Sequence, residues 1–100
     1  MKKQYQNIKI KLTVEFNFDL NDIVDFISQY KPLAARKFKI ELIKKIQKDL
    51  KNPFLFKKSI YFEDENIRDY VFKGYTVVFK VDNDLELVIV VAILKHRNSF

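Results

Sequence analysis

One hundred residues, 48% of them hydrophobic, with a formal net charge of +6, make a chain long enough for one modest core and too apolar for intrinsic disorder. There is no cysteine, which excludes disulfides and thiolate metal sites. The longest uncharged apolar run, Leu87 to Leu94, is far too short to span a bilayer, and MKKQYQNIKI opens on two lysines without the apolar stretch of a signal peptide.

The first predicted element is NIKIKLTVEFNF. Alternation places Ile8, Ile10, Leu12, Val14, Phe16 and Phe18 on one side, with Lys9, Lys11, Thr13, Glu15 and Asn17 on the other. That pattern predicts a strand with one buried face. The period then changes. Leu20, Ile23, Val24 and Ile27 fall at helical spacing, with Asp19 suited to the N-cap and Asp22 to the first turn. Tyr30-Lys31 breaks this helix before Pro32, because a residue preceding proline avoids the helical region.

Pro32 suits the first turn of a second helix, predicted to run to about Leu50. Its apolar stripe is Ala35, Phe38, Leu42, Ile46 and Leu50; Lys37, Lys44, Lys48 and Lys51 fall opposite, with Glu41 among them. Two helices joined by so short a break form a hairpin that can cover one face of a sheet. Pro53 ends the second helix. The positive charge is concentrated here: residues 31–58 carry ten Lys/Arg against Glu41 and Asp49, whereas residues 1–30 balance and residues 59–100 are net acidic. Such a segment attracts polyanions or an acidic partner, or serves only as a solubilising face.

FLFKKSIYFEDE combines aromatic anchors, Lys57 and Lys58, and an acidic loop. Glu63, Asp64 and Glu65 are consecutive loop carboxylates of the kind that stay solvated, so no metal is expected. NIRDYVF reads as a short strand and Lys73-Gly74 as a turn, with Gly74 the only glycine available for an unusual φ. In YTVVFKV, Tyr75, Val77, Phe79 and Val81 share a face. Asp82-Asn83-Asp84 turns the chain, and LELVIVVAIL, apolar at both parities, predicts a central strand buried on both faces. The expected architecture is α+β, one domain over residues 1–100, in the order β-α-α-β-β-β, with a small antiparallel sheet and the helical hairpin on one face.

The last strand ends in Lys95, His96 and Arg97, and His96 is the only histidine. Its ordinary pKa of about 6.5 suits an acid or a base. Arg68 and Arg97 can grip phosphate in a bidentate fork. Cleavage of RNA through its 2′-hydroxyl needs such a base, an acid and cations, and no metal. In a regular strand, however, His96 shares a face with Leu94 and Ala92, while Lys95 and Arg97 share the other with Ile93 and Val91. That parity favours a diffuse anion-binding edge over a tight triad. Tyr61, Phe62, Tyr70, Phe72 and Tyr75 suit either a stacking platform for bases or, more simply, the aromatic volume of a core without tryptophan.

Three stretches in order, TVEFNFDLNDIVDFI, PLAARKFKIELIKKIQKDLKNP and IRDYVFKGYTVVFKVDNDLELVIVVAILKHRN, together resemble the RelE/ParE superfamily of bacterial type II toxin–antitoxin toxins. The resemblance implies a cytoplasmic growth inhibitor without cofactor or membrane association. It also implies a hetero-oligomer with a cognate antitoxin whose disordered tail folds on the toxin. RelE-like members cut mRNA on the ribosome; ParE-like members poison DNA gyrase. On the family pattern Arg68 matches the arginine before the meander, and His96 and Arg97 match the basic end of the last strand. These three would be catalytic only in an endoribonuclease, with Lys57, Lys58 and Lys95 adding to a target-binding surface. RNase members often carry a tyrosine near the C-terminus, where this chain has Arg97, Asn98, Ser99 and Phe100, so the resemblance favours a ParE-like toxin. An antitoxin helix is expected in an exposed groove at Phe54, Leu55 and Phe56. Outside the family reading stands a basic nucleic-acid-binding module without toxicity.

Overall fold

Thr13 separates the first strand from the first helix. The computed structural model of the protein describes residues 7–95. In it β1 spans only Lys9–Leu12, and α1 begins at once, Val14–Ser28. Thr13 is the N-cap: its hydroxyl accepts from the Phe16 amide at 3.1 Å and donates to the Val90 carbonyl at 3.0 Å. The expected strand through Phe18 is therefore corrected, and Asp19 lies inside the helix rather than at its cap. The alternation over Val14–Phe18 misleads because Phe16 alone turns inward. It is fully buried, while Val14 and Phe18 are 80% and 66% exposed. The helical stripe actually starts at Phe16 and continues through Leu20, Ile23 and Ile27.

Helix α2 spans Pro32–Asp49, with proline in its first turn, as expected. Ala35, Phe38, Leu42, Ile46 and Leu50 are all buried. A 3-10 turn, Pro53–Leu55, follows, then β2 (Ile67–Phe72), β3 (Tyr75–Asp82) and β4 (Leu87–Lys95). Lys73 and Gly74 both take positive φ, 48° and 82°, the geometry of a tight two-residue hairpin turn.

The sheet order is β1-β4-β3-β2. Strands β2, β3 and β4 form the antiparallel meander, and β1 joins β4 in parallel, so the sheet is mixed. Tyr70, Phe72, Val77, Phe79, Val81, Val88, Val90 and Ile93 face the helices and close one core with Phe16, Leu20, Phe38, Leu42, Ile46 and Leu50. Burying side chains of this size stabilises the fold by about 1.5–3 kcal/mol each before entropy is counted.

The last strand, expected to be buried on both faces, is corrected: Ile89, Val91, Ala92 and Leu94 of β4 stay partly exposed, and it is β3 whose consecutive Val77, Val78 and Phe79 are all inaccessible. The register explains part of this. Val78 pairs with Ala92 but Phe79 with Val90, so Val91 is an extra residue, a bulge. The bulge lets Val90 and Ile93 both point at the helices, which strict alternation would forbid.

Candidate functional site

The segment after α2 is built onto the outer edge of β2. Ser59 donates to the Ile67 carbonyl at 2.8 Å, Asp69 donates to the Lys57 carbonyl at 3.0 Å, and Lys58 bridges to Arg68. This short antiparallel addition covers an edge that would otherwise be open. Asp69 fastens the chain further, its Oδ2 accepting from the Ile60 amide at 3.2 Å.

Arg68 lies on the helix-facing side of β2, opposite Phe79. Its Nη1 donates to the Phe56 carbonyl at 2.6 Å, and its guanidinium carbon stands 4.6 Å from the centre of the Phe54 ring. Phe56 in turn meets Tyr70 edge-on, with centroids 5.2 Å apart, and Phe79 at 6.1 Å. Phe54 and Phe56 are partly buried and pack against the core, and one side of Phe56 also lines an open groove. Of the three residues expected to form an apolar surface, Leu55 is 79% exposed, Phe56 is partly buried at the groove, and Phe54 is turned to Arg68. Tyr70 ties the site to α2, its hydroxyl donating to Asp49 Oδ2 at 2.5 Å. Burial, then this hydrogen bond and the carboxylate charge, raise the Tyr70 phenol well above the ordinary tyrosine range.

A groove of about 590 Å³ opens beside this edge. Leu55, Ile60, Tyr61 and Val71 give it an apolar lining, and Lys57 and Lys58 add cations. Ile60 is 84% exposed and Val71 61%. Asp69 also lines it, and its Oδ1 is buried with no hydrogen-bond partner among the described residues. An open apolar trough with two lysines suits an amphipathic segment carrying carboxylates, one that adds an N–H donor for Asp69. Sequence reasoning located Lys57 and Lys58 but missed Ile60, Val71 and Asp69. Their signal was faint: Val71, like Ile67, is an apolar residue of β2 on the parity opposite Tyr70 and Phe72.

Lys95 ends β4 beside Tyr75, whereas Arg68 pairs with Phe79. Tyr75 and Phe79 are four residues apart on β3, so about 13 Å of strand separates the two cations. The fold does not bring Arg68 and Lys95 together. His96 and Arg97 lie outside the described residues. Among the described residues, no helix is long and apolar enough to cross a membrane.

The fold and its sequence have known relatives. No curated protein sequence matches the chain. A solved structure described as the chromosomal ParDE toxin–antitoxin system from P. aeruginosa is similar, with a TM-score of 0.72 at 16% identity over 90% of this chain and 97% of that one. The toxin–antitoxin complex RelBE2 from Mycobacterium tuberculosis is similar with a TM-score of 0.63 at 13% identity, over 89% and 98% of the two chains. At such identities the likeness is one of fold. The family described as the ParE toxin of the type II toxin–antitoxin system parDE matches residues 10–100. The chain therefore belongs to the ParE toxin family, within the RelE/ParE superfamily of type II toxin–antitoxin systems.

Proposed function

We propose that this toxin acts in the cytoplasm in the ParE manner, on DNA gyrase, and that a cognate antitoxin neutralises it in a hetero-oligomer. The observation that carries the reading is the engagement of Arg68. An arginine that clamps a scissile phosphate must offer its fork to solvent. Here Nη1 is bonded to the Phe56 carbonyl, Nε is buried, and the guanidinium plane rests on Phe54. The mRNA endoribonuclease reading would need Arg68 with His96 and Arg97, and its first member is held as a structural clamp. The Tyr70 hydroxyl is likewise bonded to Asp49 and kept protonated by burial, which removes it as a base.

In this reading the antitoxin occupies the groove of Leu55, Ile60, Tyr61 and Val71, with its acids toward Lys57 and Lys58. Lys95 contributes positive charge at the target-facing end of β4. Pulse-labelling after induction without antitoxin tests the target. Arrest of DNA synthesis first, with inhibition of gyrase supercoiling by the purified chain, supports the proposal. Arrest of protein synthesis first, with cut mRNA, replaces it by the endoribonuclease reading. Absence of any arrest would mark a toxin relative that has lost activity.

A further inference from the structure

The outer face of the helical hairpin, turned away from the sheet, has no part in the function proposed above. On α1, Val14, Phe18 and Asp25 recur at intervals of four and seven residues; on α2, Leu33, Lys37, Ile40 and Lys44 recur at four, three and four. At 3.6 residues per turn each set lies on one side of its helix, opposite the buried Phe16 and Leu20 or Phe38 and Leu42. All seven side chains are exposed. Val14, Phe18, Leu33 and Ile40 thus form exposed apolar positions flanked by charges, the composition of an interaction surface.

Charge is segregated between the two helices. Helix α1 carries Glu15, Asp19, Asp22 and Asp25 with no Lys or Arg, a net charge of −4. Helix α2 carries Arg36, Lys37, Lys39, Lys44, Lys45 and Lys48 against Glu41 and Asp49, a net charge of +4. Among the described residues, none of the α1 acids forms an ion pair with an α2 cation. The helices are tied instead by a hydrogen bond from Lys39 Nζ to Asn21 Oδ1 at 3.1 Å. Lys37 has Glu41 of its own helix at 3.9 Å. Asp49 is turned to Tyr70 of the sheet and Glu41 to Lys73, so the exposed acids of α1, Glu15, Asp22 and Asp25, stand beside an α2 surface dominated by cations such as Lys37 and Lys44, each helix with its own exposed apolar residues.

We propose that this face binds a second copy of the chain, in a two-fold dimer that lays α1 of each subunit antiparallel on α2 of the other. A two-fold interface is self-complementary: what one half presents, the other half must accept. A hairpin can be laid on its copy in two ways. An axis across the helices stacks α1 on α1 and α2 on α2, which opposes like charges. An axis along the helices stacks α1 on α2 twice, which opposes the acidic side of one helix to the basic side of the other at both contacts, and the charge pattern selects it. Asn21 and Lys39 lie level across the hairpin, so the same stacking brings Asp25 near Lys37 of the partner subunit and Phe18 near Ile40 of the partner subunit. This inference does not depend on the identity of the toxin's target.

Sedimentation equilibrium of the purified full chain at low salt tests it. The expected result is a species of twice the 12.1 kDa chain mass that dissociates as salt rises. The doubly reversed variants K37E/K44E and D22K/D25K should each self-associate at least about tenfold more weakly, and mixing the two should restore a dimer. Both alter only exposed side chains, so circular dichroism should match the parent. A parent chain that stays monomeric at millimolar concentration overturns the proposal. So does a dimer indifferent to both reversals, or a mixture of folded variants that fails to pair. A monomer whose hairpin face gains hydrogen-exchange protection only on adding antitoxin assigns the surface to the antitoxin instead.

Discussion

Arg68 and Phe56 hold each other across the edge of the sheet: the guanidinium donates to the Phe56 carbonyl at 2.6 Å while the Phe56 ring packs edge-on to Tyr70 and Phe79. The bond links the irregular segment after α2 to β2. A carbonyl in that position has no helix or sheet partner, so the arginine supplies one. A charged donor to a neutral carbonyl is worth about 1.5–3 kcal/mol, and the contact with Phe54 adds about 0.5–1 kcal/mol.

Replacing Arg68 by methionine should lower stability by about 2 kcal/mol, measured as a reduced denaturant midpoint at constant slope. Toxicity should fall only as far as the folded fraction falls. If toxicity disappears while the midpoint stays put, Arg68 touches the target, and its structural assignment is wrong.

Thr13 joins three chain segments through one side chain, as cap of α1 and as donor to β4. Thr13→Val keeps the shape and removes both bonds. It should cost about 1–2 kcal/mol, whereas Thr13→Ser should cost less than half of that. A larger loss in Thr13→Ser than in Thr13→Val would show that the methyl group, not the hydroxyl, matters.

The same residue shows what was legible in the sequence and what was not. The α2 stripe and the alternation of β3 were readable because each rests on one uninterrupted period, and the element order followed from where the period changes. Residues 13–18 satisfied two periods at once, and only a long-range partner, the Val90 carbonyl, decides between them. The Val91 bulge was hidden for a similar reason: a run of Val, Ile and Ala is apolar at both parities, so nothing local marks the extra residue. Arg68 was read as a phosphate clamp because a sequence does not reveal which way a half-buried arginine turns. The groove needed residues from two segments, Leu55–Tyr61 and Asp69–Val71, that meet only after the edge of β2 is covered.

Tyr70 makes a prediction about alkaline pH. Its phenol is raised in the folded chain above the ordinary value of 10.0, chiefly by burial and then by the bond to Asp49. The folded state therefore holds the proton more tightly than the unfolded state. The contribution to stability is fully present below about pH 10 and is lost as pH rises beyond it, where the unfolded tyrosine ionises and the folded one does not. Tyr70→Phe removes this dependence. The parent should lose stability more steeply than the variant between pH 9.5 and 11, in urea titrations run in parallel (an approximate window set by the tyrosine pKa of ~10). Parallel pH profiles would show that the phenol is not held in this way.

The groove separates binding from folding. Phe56 contacts both Tyr70 and Phe79, so Phe56→Ser should remove a core anchor and destabilise the chain by about 3 kcal/mol or more. Ile60 and Val71 are largely exposed, and Ile60→Ser with Val71→Ser should change stability by about 0.5 kcal/mol at most. Because both line the groove, the same pair should weaken the antitoxin complex by about tenfold or more in calorimetric titration. Lys57→Glu and Lys58→Glu should slow association rather than speed dissociation, since cations at the rim of an interface act mainly on encounter. Unchanged antitoxin affinity in the Ile60/Val71 variant would move the antitoxin elsewhere on the toxin. Lost affinity with intact folding would fix its position on the β2 edge, where the unpartnered Asp69 oxygen offers the next contact to test.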